Sequence, residues 1–189
     1  MNQLTETIRS GIPAAWREVR AIVAGMFGLC LLLAVAKRPR LALTSSLLLG
    51  WVFYFFRDPE RVPTAAADDL IFAPADGKVT HIELVDEPEF FKGRAWRVSV
   101  FLSLVDVHVQ RCPYPGRVDY LHYEPGNFAP AFFSDTAGNE FNFVGISTPR
   151  GPIGVKQIAG VLARRIVCWP QIGDSLSRGQ RLGLVKFGS

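Results

Sequence analysis

Cysteine and histidine are scarce in this sequence of 189 residues, which contains three of each. The cysteines (Cys30, Cys112 and Cys168) are scattered and odd in number. They therefore fit neither a disulfide framework nor closely spaced zinc ligands, and they favour a reducing compartment. Nucleotide-binding loops and the G-x-S-x-G turn of α/β-hydrolases are also absent. Despite a net charge of +4, no mixed basic and aromatic motif indicates nucleic-acid binding.

Two apolar runs, 21–36 and 41–56, stand near the beginning of the chain, separated by the basic segment 37–40. Each run is shorter than the roughly 20 residues of a typical membrane-spanning helix. The late start of the first run and the second run after it argue against a cleaved signal peptide. The pattern predicts a helical hairpin anchored in a bilayer at 21–56, with Trp51 and Tyr54 as interface anchors. A buried hairpin in a soluble core is the alternative.

The segments around the hairpin complete the predicted domain organisation. Residues 1–20 carry apolar side chains (Leu4, Ile8, Ile12, Trp16 and Val19) among cations, which suits an interfacial helix. Prolines at 59 and 63 indicate a linker over 57–69. Residues 70–189 then read as a mainly β catalytic domain. Its predicted strands are short, rich in β-branched and aromatic residues, and bounded by turns: 70–73, 78–84, 96–102, 116–122, 140–146, 151–157 and 181–187, with 158–165 either a strand or a helical turn.

Two turns within the β domain indicate its architecture. Residues 74–79 (PADGKV) resemble the opening of a lipoyl- or biotinyl-carrier domain, and 173–182 (GDSLSRGQRL) resemble its closing hairpin. Together, and in that order, they predict a barrel-sandwich β domain.

His108 is the histidine most suited to chemistry. If its segment is extended, Asp106, His108 and Gln110 project from one face, because side chains alternate along a strand. Polar side chains in an apolar segment are costly unless they are paired or used, so a satisfied core network is the alternative. We expect His81 and His122 to be structural.

Asp76 and Ser189 are the other candidates for catalysis. Asp76 precedes a glycine, which is also ordinary turn chemistry. Ser189 follows Gly188, a dipeptide that suits self-cleavage, although a merely flexible Gly-Ser ending is the plain alternative. A serine nucleophile needs a base and a group that orients the base. Asp76, His108 and Ser189 could fill these three roles.

The loop 127–139 carries aromatic side chains that suit a ligand or membrane contact. The candidate substrate-binding residues are Asp106, Phe128, Phe132, Phe133 and Asn139.

From residue 56 onward the chain resembles the phosphatidylserine decarboxylase proenzymes of the short bacterial or archaeal type. Six segments carry the resemblance in family order: FFRDPER (55–61), APADGKV (73–79), FLSLVDVHVQRCP (101–113), YEPGNF (123–128), VKQIAGVLARRIV (155–167) and GDSLSRGQRLGLVKFGS (173–189).

The resemblance implies that the chain cuts itself between Gly188 and Ser189. Ser189 Oγ would attack the Gly188 carbonyl, and elimination and hydrolysis would convert Ser189 into a covalent pyruvoyl group. That group acts as the electron sink that pyridoxal phosphate supplies elsewhere, so neither pyridoxal phosphate nor a metal is expected. The implied reaction converts phosphatidylserine into phosphatidylethanolamine and carbon dioxide, with His108 and Asp76 in the processing triad.

The family also implies partners and a location. The β chain would end at Gly188 and pair with a small α chain from the same proenzyme, and these units would form a homodimer. Membrane lipids would be further partners, at the inner membrane of a bacterial cell with the catalytic domain on the cytoplasmic face. A membrane-anchored serine hydrolase acting on lipids and a non-catalytic lipoyl-like adaptor are the alternatives.

Two positions depart from the family pattern. Some members carry a second histidine where this chain has Arg111, and many carry an arginine where it has Phe141. The roles of both residues are left open.

Overall fold

The computed structural model of the chain describes residues 14–61, 70–129 and 138–187. The chain divides into two compact units, Met1–Pro59 and Glu60–Ser189. The finer division at 1–20, 21–56, 57–69 and 70–189 stays a prediction.

The first unit contains two helices, α1 (Ala14–Val35) and α2 (Pro39–Phe55). Proline at the first position of α2 suits a helix start, because it has no N–H to leave unpaired and its φ is already helical. The Trp16 and Phe53 rings lie 5.0 Å apart, and Cys30 Sγ lies 3.0 Å from Ser45 Oγ. The first contact joins the start of α1 to the end of α2, and the second joins the inner parts of the two helices. The predicted helical hairpin is therefore confirmed.

The first helix also changes one sequence expectation. Residues 14–20, assigned to a separate interfacial helix, form the first turns of α1. Residues 1–13 lie outside the described residues, so an interfacial segment there stays a prediction.

The hairpin exposes much of its apolar surface. Leu32 and Val35 on α1 are 64% and 80% exposed, and Leu47 on α2 is 67% exposed. By length and composition, Ala15–Val35 is long and apolar enough to cross a membrane. At about 1.5 Å per residue, the 17-residue α2 would span only about 26 Å. The composition of the hairpin therefore indicates membrane association through α1.

The second unit is built from antiparallel strands, which confirms the mainly β prediction. The strands are β1 (Lys78–Glu87), β2 (Gly93–Phe101), β3 (Val109–Arg111), β4 (Gly116–Glu124), β5 (Phe141–Thr148), β6 (Gly151–Ile158), β7 (Ala163–Cys168), β8 (Ser175–Leu176) and β9 (Arg181–Phe187). A hairpin pairs β1 with β2, a three-stranded sheet has the order β3-β9-β7, and a four-stranded sheet has the order β6-β5-β4-β8.

The hydrophobic core of this unit joins the two larger sheets. Val118, Ile146 and Leu182 are completely buried, and they belong to one cluster with Cys112, Val144, Val155 and Leu176. Because residues of β4, β5, β6 and β8 meet residues of β9 here, the core fixes the three-stranded sheet against the four-stranded one.

An aromatic turn attaches the β1–β2 hairpin to the four-stranded sheet. The Glu87 carboxylate accepts hydrogen bonds from the backbone N–H groups of Phe90 (2.9 Å) and Phe91 (2.6 Å). The Phe90 ring then packs against Phe143 of β5, with the ring centroids 6.1 Å apart. A Cβ at Gly145 would lie 2.8 Å from this ring, so the sheet has a glycine where the turn docks.

Two segments differ from the sequence-based assignment. The sequence predicts a strand at 70–73, but these residues belong to none of the strands. Phe72 N donates a hydrogen bond to Pro113 O at 3.1 Å outside any sheet. The ambiguous segment 158–165 is neither one strand nor one helical turn, because β6 ends at Ile158 and β7 begins at Ala163. The short strands β3 and β8 were not predicted.

Candidate active site

His108 lies immediately after a tight turn that the side chain of Asp106 closes. The Asp106 carboxylate accepts hydrogen bonds from Ser103 N (2.8 Å) and Ser103 Oγ (2.6 Å). The backbone N–H of Asp106 donates to Ser103 O at 3.0 Å. The strand begins only at Val109, so Asp106 belongs to the turn rather than to a strand face shared with His108 and Gln110. The physical reason is that a carboxylate satisfied by local N–H and O–H donors stabilises a turn.

The orientation of the His108 ring follows from this turn. The side chain is buried, with 5% of the residue exposed, and its Nδ1 lies 3.0 Å from the carbonyl oxygen of Asp106. A carbonyl oxygen can only accept, so Nδ1 carries the proton. In the neutral ring, Nε2 then carries the lone pair. The turn therefore fixes the tautomer in which Nε2 can act as a base.

Strand β9 runs alongside the His108 segment. Val185 N donates to the carbonyl oxygen of His108 at 3.3 Å, and Val109 pairs with Leu184 in the adjoining register. The strand ends at Phe187, the residue before Gly188. Gly188 and Ser189 lie outside the described residues, so the contact between Ser189 and His108 stays a prediction.

Asp76 lies in a bend that passes close to the same region. Pro74 O accepts a hydrogen bond from Arg111 N at 2.7 Å, which holds the bend beside β3. At Gly77, where φ is +150°, a Cβ would lie 2.4 Å from Phe101 O, so only glycine fits against the end of β2. The described partner of the Asp76 carboxylate is the guanidinium of Arg61. Its role in a triad with His108 stays a prediction.

Arg111 connects β3 to the turn that precedes β9. The residue is 8% exposed, and its Nη1 donates to Gly179 O at 3.0 Å. Two backbone hydrogen bonds lie beside it, from Cys112 N to Gln180 O (2.7 Å) and from Gly179 N to Cys112 O (2.8 Å). Arg111 thus helps to fix the start of β9, whichever further role it has.

The ends of the predicted substrate loop are closed by Asn139. Asn139 Oδ1 accepts from Ala129 N (3.0 Å), and Nδ2 donates to Ala129 O and Ala159 O (both 2.9 Å). The guanidinium carbon of Arg164 lies 5.3 Å from the centroid of the Phe128 ring. Phe132 and Phe133 lie outside the described residues. The substrate-binding roles of these residues and of Asp106 stay predictions.

Phe141 occupies the position where the family often has arginine. Lys156 Nζ lies 3.6 Å from the centroid of the Phe141 ring. The His122 ring also stacks on Phe141, with the ring centroids 5.8 Å apart. Burial, followed by repulsion from Arg97, lowers the pKa of Lys156. Lys156 of β6 therefore places its ammonium over the ring of Phe141 on β5.

Sequence reasoning missed a chain of buried amides between the two larger sheets. Gln157 Nε2 donates to Gln110 Oε1 at 2.9 Å, and Asn142 Nδ2 donates to Gln157 Oε1 at 3.0 Å. All three residues are less than 10% exposed. A signal was available, since each amide interrupts an apolar strand, but its partners are far apart in sequence.

Cys112 and Cys168 of the β domain do not supply an alternative nucleophile. Burial raises the pKa of Cys112 to about 11, and burial also raises the pKa of Cys168. Both side chains are therefore thiols at neutral pH, and the thiol is a poor nucleophile. Among the described residues, no group of three or more histidine, cysteine, aspartate or glutamate side chains could hold a metal ion.

The family follows from comparison with known proteins. The profile of the family described as phosphatidylserine decarboxylase matches residues 48–189. A curated relative, the phosphatidylserine decarboxylase proenzyme of Symbiobacterium thermophilum, is 51% identical over 142 residues, which cover 74% of this chain and 65% of the relative. This β-domain protein with a buried histidine beside β9 belongs to the phosphatidylserine decarboxylase family. The match spans about two thirds of the length of that relative.

Proposed function

We propose that this chain belongs to a pyruvoyl-dependent decarboxylase that converts phosphatidylserine into phosphatidylethanolamine and carbon dioxide. Membership of the family supports the reaction. The observation that carries the proposal is the hydrogen bond between Val185 N and His108 O, at 3.3 Å. It ties a histidine of fixed tautomer to the strand that leads into Gly188 and Ser189.

In the proposed maturation, His108 Nε2 removes the proton from Ser189 Oγ. The oxygen attacks the Gly188 carbonyl, an ester bond forms, and the amide C–N bond breaks with a proton going to the freed amine. Loss of the Cα proton of residue 189 to a base then expels the Gly188 carboxylate and leaves a dehydroalanine. Addition of water and loss of ammonia convert the remaining residue into the pyruvoyl group. Asp76 is proposed to assist His108 in this processing.

The residues of the chain fit the pyruvoyl group by their chemistry. Serine supplies an oxygen that serves first as nucleophile and later as leaving group, whereas alanine can do neither. The buried segment around His108 limits access of water. Once formed, the group accepts the electron pair that carbon dioxide leaves behind. His108 would then hold or deliver a proton at the reacting centre.

The partners and location are proposed with the function. A small α chain beginning at residue 189 would remain bound to the β chain, and two such units would form a homodimer. The exposed apolar face of α1 supports anchoring to a membrane, proposed as the cytoplasmic face of the bacterial inner membrane. Anchoring is physically reasonable, because the acyl chains of the substrate would leave a bilayer only at high cost.

Substitution of the serine tests the function. The full-length precursor carrying Ser189→Ala should remain one chain and should release no carbon dioxide from phosphatidylserine vesicles. The wild-type precursor should cleave into two chains and release carbon dioxide from the same vesicles. Decarboxylation by the uncut variant would refute the proposal, and lipid hydrolysis by an intact wild-type chain would favour a serine hydrolase instead.

A further inference from the structure

The side chain of Gln157 bridges the two outer strands of the three-stranded sheet. Gln157 lies on β6 of the other sheet, is 3% exposed, and extends its carboxamide across the core. Its Nε2 donates to Gln110 Oε1 on β3 at 2.9 Å and lies 3.4 Å from Val167 O on β7. One amide nitrogen therefore contacts the strands on both sides of β9.

The carboxamide of Gln157 occupies the place where Gly183 would carry a side chain. Gly183 is the residue of β9 that pairs with Gln110 on one side and with Cys168 on the other. A Cβ at Gly183 would lie 2.7 Å from Gln157 Nε2 and 2.1 Å from Val167 O. Glycine is thus required at this point of β9, because a Cβ would clash first with the backbone oxygen of Val167 and then with the Gln157 carboxamide.

The bridge is itself held in place. Asn142 of β5 is the cross-strand neighbour of Gln157 and donates to Gln157 Oε1 at 3.0 Å. Because a buried amide without partners is costly, these mutual hydrogen bonds leave the carboxamide of Gln157 little freedom to move.

The bridge acts on the two segments that the maturation chemistry needs. Gln110 lies on β3, two residues after His108. Gly183 and Phe187 both lie on β9. A displacement of about 1 Å between reacting groups can reduce a rate about a hundredfold. We propose that Gln157 is a positioning residue for self-cleavage, which fixes β3 and β9 so that the His108 base and the Gly188–Ser189 bond meet. This inference rests on the proposed function.

The test compares variants of the full-length precursor made by cell-free synthesis, with conversion to two chains followed over time. Gln157→Met preserves length and volume but removes the hydrogen bonds. We expect the folded variant to cleave at least about tenfold more slowly at every pH. The matched control is Val155→Ala, a core truncation on the same face of the same strand. It should lose stability and still cleave within about twofold of the wild-type rate.

A second variant covers the case in which Gln157→Met does not fold. Gln110→Met removes the same hydrogen bond from the other partner and should slow cleavage comparably. The double variant should be about as slow as either single variant, because one shared contact is lost. Wild-type cleavage rates in a folded single variant, or equal slowing by Val155→Ala, would overturn the positioning role. Failure of the wild-type precursor to cleave would instead refute the proposed function.

Discussion

His108 Nδ1 lies 3.0 Å from the carbonyl oxygen of Asp106, two residues earlier in the chain. This contact assigns the ring proton to Nδ1 and leaves the lone pair of the neutral ring on Nε2. The turn that provides the carbonyl is closed by Ser103 and the Asp106 carboxylate. A short local motif thus prepares a base beside the strand that leads to the proposed cleavage site.

Replacement of this base should stop maturation. In the full-length precursor, we expect His108→Ala to slow self-cleavage by about 10²- to 10⁴-fold, the usual contribution of a general base. Gel analysis of the precursor over hours after synthesis measures the rate. The matched control is His122→Ala, because His122 is half-exposed and its described polar partners are Glu124 and Glu89 on the surface. Equal cleavage of the two variants would remove His108 from the mechanism.

Asp76 can be tested without a large change in stability. Its ion pair with Arg61 involves side chains that are 40% and 51% exposed. Such exposed pairs contribute only about 0–1 kcal/mol to stability. We therefore expect Asp76→Ala and Arg61→Ala to unfold at nearly the wild-type temperature, while only Asp76→Ala blocks cleavage. Unimpaired cleavage by Asp76→Ala would remove Asp76 from the processing mechanism.

Membrane association should depend on the exposed face of α1. Leu32 is 64% exposed and lies near the end of this helix. An arginine in the middle of a membrane-spanning helix costs about 2.5–3.5 kcal/mol, with a smaller cost nearer its ends. We expect Leu32→Arg to shift the full-length protein from the salt-resistant membrane pellet towards the supernatant, whereas Leu32→Ala should stay in the pellet. Identical pellet fractions would contradict insertion of this part of α1.

Alkaline pH should weaken the β domain through Cys112. Burial raises the pKa of this thiol from 9.0 to about 11. The folded state therefore holds the proton where the unfolded state has lost it. The stabilisation is complete below pH 9 and is lost as the pH rises towards 11. Chemical denaturation should show a steeper loss of stability over this range for the wild type than for Cys112→Ala. Parallel curves would contradict the assigned pKa.

Local patterns predicted most of the fold. Short segments rich in β-branched and aromatic residues between turns identified β1, β2, β4, β5, β6 and β9, and the two apolar runs identified the helical hairpin. The same reasoning missed β3 and β8, because segments of three and two residues are too short for a periodic signal. It placed Asp106 on a strand, because the competing hydrogen bonds from Ser103 depend on a turn that periodicity does not reveal.

The candidate site was predictable only where the chemistry is local. His108 stood out as a polar residue within an apolar segment. Gln157 did not, because its partner Gln110 is 47 residues away and comes into contact only when the sheets pack. The requirement for glycine at position 183 also depends on packing, since the excluding atoms are Val167 O on the neighbouring strand and the Gln157 carboxamide from the other sheet.

The most direct test of the central claim is the intact mass of the purified full-length protein, followed by fragmentation of its smaller chain. The account predicts a β chain that ends at Gly188 and an α chain whose first residue is a pyruvoyl group derived from Ser189. The pyruvoyl carbonyl should disappear after reduction with borohydride, together with decarboxylase activity. A single uncut chain with serine at position 189 and full decarboxylase activity would contradict the account.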